Sequence, residues 1–195
     1  MADTTIRGED WYGRDLEKVE YTRVAWVDVD MTEISSTSAV FTECSFTNVR
    51  FNVSKHTESA FINCTFSRCN FFDASFTRCK LTGSVFDGCS FDLVDVAAGD
   101  WSFVGLAGAK LSGTTFHGVK LREADLNRAR CDGATFSGCD LSGAWMERAD
   151  FTGADLRGSD LSSLDPLTAQ LKGAVVDARQ AAVLVGSLGL TVLPE

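Results

Sequence analysis

Residues 41–76 read FTECSFTNVRFNVSKHTESAFINCTFSRCNFFDASF, with phenylalanine at positions 41, 46, 51, 61, 66, 71 and 76, every fifth place except that of His56. The beat runs on in both directions. From Leu16 to Leu161 each fifth residue is large and apolar, with only Ser36 and His56 as exceptions among thirty positions and no phase slip. An α-helix advances about 500° in five residues, so these side chains would drift around it by roughly 140° at each step and hold no face. In a flat strand, side chains alternate with period two, so an odd spacing would send successive large residues to opposite faces. One interior is kept only if the chain bends once per pentapeptide, each forming a short side of a coil. The architecture read from this rhythm is a solenoid.

The neighbouring positions agree. Two residues before the large one the side chain is small or β-branched, as in Ala39, Cys44, Val49, Ser59, Cys64, Cys69, Ala74, Cys79, Ser84, Cys89, Ala124, Ala134, Cys139 and Ala149, and Arg14 is the clear exception. A large side chain on the axis with a small one beside it suits close packing in a narrow coil. After the large residue come Thr, Ser, Asp or Asn and then frequently Gly, as at Gly83, Gly113, Gly133 and Gly153. These are corner residues, with side chains that bond backbone or with permissive backbone angles.

Segments such as Ala124-Asp125-Leu126-Asn127-Arg128, Ala149-Asp150-Phe151-Thr152-Gly153 and Ala154-Asp155-Leu156-Arg157-Gly158 resemble the A(D/N)LXX signature of the pentapeptide-repeat family. The resemblance covers residues 14–163 and extends through Leu171 to Gly173. It implies an all-β solenoid, a right-handed quadrilateral β-helix with four pentapeptides per coil. Residues 1–13 then read as an N-terminal cap, 14–173 as the β-helix, and 174–195 as a C-terminal helix and tail.

That last segment changes period. Asp177 and Gln180 have the spacing of a helix N-cap and its reciprocal partner, Ala181, Leu184, Val185 and Leu188 follow at i, i+3, i+4 and i+7, and Gly189 suits a stop. With Leu190 and beyond, this short apolar element either folds back over its own coil or joins a second copy across a two-fold axis. The resemblance favours the dimer, because gyrase-protecting members of the family, such as the mycobacterial MfpA type, dimerise through a C-terminal helical element. The unbroken register also resembles that type more than the loop-interrupted Qnr type.

Composition narrows the chemistry. The seven cysteines fall on interior positions, six on the small place and Cys131 on the large one, and none has a CxxC spacing, so they read as reduced core residues. His56 reads as a hydrogen-bonded or locally bulged core histidine and His117 as an exposed corner residue. No nucleophile–base set, metal motif or phosphate loop is present in the sequence, so neither an enzyme nor a cofactor or metal is expected. The chain has no apolar run long enough to cross a membrane and no basic-then-apolar leader, and the expected location is cytoplasmic, without membrane contact.

The net charge of −9 is unevenly placed. Residues 1–43 carry a net −6, residues 44–122 a net +2, and Asp132, Asp140, Glu147, Asp150, Asp155, Asp160 and Asp165 give the 132–165 segment a net −5. Coils stacked about 4.8 Å apart make residues 14–173 a rod of about 38 Å. A dimer joined at the C-terminal ends would bring two acidic segments together, with about ten charges on roughly 16 Å of coil, the density of duplex phosphates. The same aspartates suit backbone bonding at corners, so fold and function compete for each of them. The resemblance implies a DNA-mimicking protein that binds DNA gyrase, a type II topoisomerase, competes with DNA, inhibits supercoiling or protects the enzyme from quinolone-type poisons, and does not itself bind nucleic acid. The candidate partner surface is those seven acids, and the candidate dimer contacts are Ala181, Leu184, Val185, Leu188 and Leu190. The rival reading is a structural or adaptor scaffold with no topoisomerase role.

Overall fold

Four consecutive register residues, Phe46, Phe51, His56 and Phe61, each take one side of a coil, and the next, Phe66, lies on the first with ring centroids 4.8 Å apart and planes 7° from parallel. This is one turn of a four-sided parallel solenoid, described by a computed structural model over residues 2–193. Met1, Pro194 and Glu195, which belong to the two expected terminal segments, lie outside the described residues. Every parallel pairing joins residues twenty apart, such as Phe46 with Phe66 and Phe76 with Val96. A constant step of that size stacks like on like. Phe51 lies on Phe71, Phe41 on Phe61 and Phe116 on Phe136, with centroids 4.7–4.9 Å apart and planes within 3° of parallel. The interior is filled by the large register residue and the small one two places before it, and both are buried through most of the rod.

The sides differ in backbone. The His56 side is a seven-stranded sheet running from Asp15–Glu17 to Thr135–Ser137. The Phe46 side has five strands, from Thr4–Arg7 to Val85–Asp87, and the Phe61 side three, from Glu20–Thr22 to Ala60–Ile62. The Phe51 side holds its coils by single bridges, an unbroken series from Asp10–Asp30 to Asp150–Gln170. At the corners, the second residue after the register position turns left-handed at every repeat from Gly8 to Gly158, and again at Gly173.

The N-terminal boundary differs from expectation. Thr4–Arg7 pairs with Val24–Val27, placing Ile6 on Trp26, so residues 4–13 are coil rather than a separate cover. Their small positions hold Thr4, Glu9 and Arg14, at the outermost coil of the described residues. Arg14 turns outward, its guanidinium 4.4 Å from the centre of the Trp11 ring. At the other end, Ala178–Ser187 is helical. The Asp177 carboxylate accepts from the Arg179 and Gln180 backbone N–H, the Gln180 side-chain oxygen accepts from Asp177 N–H, and Gly189 and Leu190 close the helix by donating to Gly186 and Val185 carbonyls. Among the described residues no helix is long and apolar enough to cross a membrane.

Candidate functional site

Five of the seven acids of the 132–165 segment are placed by the corner chemistry of the repeat. An aspartate just before the register residue points outward and accepts a hydrogen bond from the backbone N–H two places on. Asp140 does so from Ser142, Asp150 from Thr152, Asp155 from Arg157, Asp160 from Ser162 and Asp165 from Leu167, at 2.9–3.2 Å. Each is an Asx-type turn that fixes the corner and the direction of the charge together.

They do not form one stripe. Asp140 and Asp160 are bridged neighbours on the Phe61 side, and Asp132 and Asp150 lie on the opposite, Phe51 side. Asp155 is on the His56 side, while Glu147 and Asp165 are on the Phe46 side. The charge wraps the coil as a collar. Part of it is balanced locally: Asp140 pairs with Arg122, Asp155 with Arg157 at 2.6 Å, Glu147 with Arg148 at 3.6 Å, and Asp132 with Arg130 at 3.9 Å. Asp150, Asp160 and Asp165 hold no ion pair among the described residues.

Three carboxyls of the collar are held toward the charged form. Partial burial raises the Asp140 carboxyl, but hydrogen bonds from Ser142 and Arg122 outweigh that and hold it below the usual carboxylate range. The hydrogen bond from Thr152 lowers Asp150, and that from Arg157 lowers Asp155.

Beyond the collar, the helix turns a different face to the coil than the one read from sequence. Gln180 is its buried residue: while its oxygen caps the helix, its amide donates to the carbonyls of Leu156 at 2.6 Å and Ser159 at 2.8 Å, in the last coils. Leu184, one turn on, packs against the core, and Ala181 and Val185 are half-buried. Of the five candidate dimer contacts only Leu188 and Leu190 are exposed, and they are joined by Val183, Val192 and Leu193. The open apolar end is thus shifted toward the chain terminus. Gln180 was legible only as a cap partner, since its second role depends on carbonyls more than twenty residues away.

The other candidates are accounted for by packing. All seven cysteines are free and buried. His56 stacks on Phe76 inside the coil, hydrogen-bonded to Ser36 at 2.7 Å and Ser54 at 3.1 Å, and its burial pushes its pKa down to about 3. His117 is exposed and bonded to Ser137 at 2.8 Å. Among the described residues no group of His, Cys, Asp and Glu is arranged to hold a metal ion.

Comparison with known proteins gives a consistent picture of the fold. A family model described as pentapeptide repeats matches in eight copies over residues 57–88, 102–130 and 129–165. A trypsin-treated form of QnrB1, a plasmid-mediated fluoroquinolone resistance protein, superposes with a TM-score of 0.86 at 21% identity, covering 97% of each chain. A second trypsin-treated form of the same protein gives a TM-score of 0.56 at 23% identity, again covering 97% of each chain. No curated protein matches the sequence.

Proposed function

This chain belongs to the pentapeptide-repeat family, and we propose that it serves as a DNA-like protein surface that binds DNA gyrase, competing with duplex and so inhibiting supercoiling or protecting the enzyme from quinolone-type poisons. The observation that carries this reading is the acidic collar. Residues 132–165 bear a net −5 on less than two coils, about 8 Å of rod, where duplex DNA carries about five phosphates. A duplex presents charge around its circumference, so acids on all four sides imitate it better than a stripe would. Five of the seven side chains are pinned by corner bonds, and a surface that needs little ordering loses little entropy when it binds. A partner built to grip DNA gains association rate from such a field, and the same field repels nucleic acid.

Dimerisation completes the proposal. Val183, Leu188, Leu190, Val192 and Leu193 leave apolar surface open at the end beside the collar. Burying it against a second copy joins two rods end to end and places the two collars on either side of the junction. Purified chain at micromolar concentration is expected to alter gyrase supercoiling or quinolone-induced cleavage, and to sediment as a dimer. Leu188→Asp with Leu190→Asp is expected to give monomers with reduced inhibition. A folded chain without effect on either gyrase assay overturns the reading.

One observation favours the rival, an adaptor scaffold. Gln180 and Leu184 already close the coil from within the same chain, so the fold does not require a partner copy for its end. A wild-type chain that sediments as a monomer and leaves gyrase untouched is the outcome that selects it.

A further inference from the structure

One side of the rod opens near its C-terminal end. On the Phe46 side successive coils are joined by paired backbone bonds: Leu126 N–H donates to the Trp145 carbonyl at 2.8 Å, and Trp145 N–H to the Ala124 carbonyl at 2.9 Å. Among the described residues no such pair joins Trp145's coil to the next, and the Met146 N–H and Ala144 carbonyl are left without backbone partners. The cause is Pro166 at the register position. Proline fixes its own backbone angle and constrains the residue before it. The chain folds into a tight turn in which the Asp165 carbonyl accepts instead from Thr168 at 3.2 Å and Ala169 at 3.1 Å.

The missing rung leaves a groove of about 390 Å³ lined by Trp145, Met146, Asn127, Ser163, Asp165 and Thr168. Trp145 is 60% exposed and Leu167, at the turn, 77%. An outward tryptophan is costly to leave in water and is among the residues most often found at the energetic centre of protein interfaces. The charged groups around it are Asp125, Glu147 and Asp165, with Arg128 and Arg148 at the next corner. Arg148 is engaged by Glu147, while Asp125 and Asp165 hold no ion pair among the described residues.

We infer that this groove docks an arginine-bearing extended segment of the protein partner. A guanidinium is planar, stacks on an indole face and pairs with a carboxylate in one geometry, which suits Trp145 beside Asp165. The segment's own backbone supplies the rung that Pro166 removed, as in strand addition. The occupant follows from charge and from the open rung. Its identification with gyrase rests on the functional reading above.

The test measures binding of the full chain to purified gyrase by surface plasmon resonance, with Trp145→Ala and Asp165→Asn. The latter removes charge but keeps an oxygen to accept from Leu167 N–H. Trp145→Ala is expected to weaken binding at least about tenfold, and Asp165→Asn to weaken it severalfold and reduce its salt dependence, both with unchanged circular dichroism and sedimentation. If the wild type binds and Trp145→Ala binds equally well, the inference falls and the gyrase reading stands. If the wild type does not bind, both fall. If Trp145→Ala changes the sedimentation coefficient to that of a monomer, the occupant is a second copy and the inference is wrong.

Discussion

The coils before Gly99 and those after it follow one register but solve the corner differently. Between Lys18 and Arg78 the left-handed corners carry side chains, whereas beyond Gly83 most are glycine. A non-glycine residue in that conformation costs roughly 1–2 kcal/mol. The N-terminal coils offset part of this by bonding corner to corner: Arg23 to Asp3, Asn48 to Asp28, Arg68 to Asn48 and Arg78 to Glu58, each twenty residues apart. Their interior is a run of stacked phenylalanines, and three of their sides are stranded. The C-terminal coils keep strands on the His56 side alone, fill the core largely with leucine and alanine, and put glycine at most corners. Among the described residues both halves leave acids without ion partners, Glu33 and Asp73 in the first and Asp150, Asp160 and Asp165 in the second, but it is in the second that the rung at Pro166 is lost. The first half, stranded on three sides and bonded corner to corner, is the stem; the second holds the proposed partner surface.

The largest expected effect breaks that comparison through the stem. His56 is buried and its folded pKa is depressed to about 3, against an ordinary 6.5. The unfolded chain therefore binds the proton first as pH falls. The stability this contributes is complete above about pH 6.5 and is lost progressively toward pH 3, to a total of about 5 kcal/mol at 1.36 kcal/mol per pKa unit. Acidification is expected to open the N-terminal coils before the C-terminal ones, which hydrogen exchange between pH 6.5 and 4.5 resolves. His56→Phe, which continues the stack on Phe76, is expected to flatten the pH dependence in that window. An unchanged slope in urea unfolding would mean that another group senses the acid.

Next in size is the seam itself. Gly99 takes a small interior position with φ +98°, and a Cβ there would collide with the carbonyl oxygen of Cys79 in the coil below. Both the backbone and the packing oppose a side chain, so Gly99→Ala is expected to cost about 3 kcal/mol in urea unfolding. A non-two-state transition would show the halves separating at this point. A smaller, paired test exchanges the corner solutions. Leu93 and Gly133 occupy the same corner two coils apart, both left-handed, and Leu93 is 62% exposed, so its side chain has little packing to lose. Leu93→Gly is expected to stabilise by about 1 kcal/mol and Gly133→Leu to destabilise by about as much. Equal signs in the two variants would refute strain as the difference between the halves.

Much of this was legible in the sequence, and the parts that were not share a cause. A register states which side chains face inward, so it identified the solenoid, the buried cysteines and the polar but enclosed His56, while the four sides came from the family resemblance and the Asp177–Gln180 cap from helix spacing. The register reads poorly at the outermost described coil. Thr4, Glu9 and Arg14 broke the small-residue pattern there, and this hid the coil around Ile6 and Trp11. Nor does it report which backbone rungs form. Pro166 was visible, but the groove beside Trp145 depends on where the Asp165 carbonyl turns. The seven acids were picked out by a linear tally of charge, which could not divide them among four sides.

The smallest expected effect on stability separates the two roles of those acids. Each corner aspartate of the collar offers one oxygen to a backbone N–H and one charge to the surroundings. Asparagine keeps the oxygen and removes the charge. Asp150→Asn with Asp160→Asn therefore retains the bonds to Thr152 and Ser162, and unfolding is expected to shift by no more than about 0.5 kcal/mol. Alanine at the same places is expected to cost about 1 kcal/mol for each lost corner bond. If the collar acts through its field, the asparagine pair slows association with gyrase and lessens its dependence on salt, while the dissociation rate changes little. If instead the aspartates serve only the fold, the asparagine pair behaves as wild type in both measurements and the alanine pair is altered in stability alone. Lysine at these positions could not make the distinction, because it removes the corner bond and reverses the charge at once.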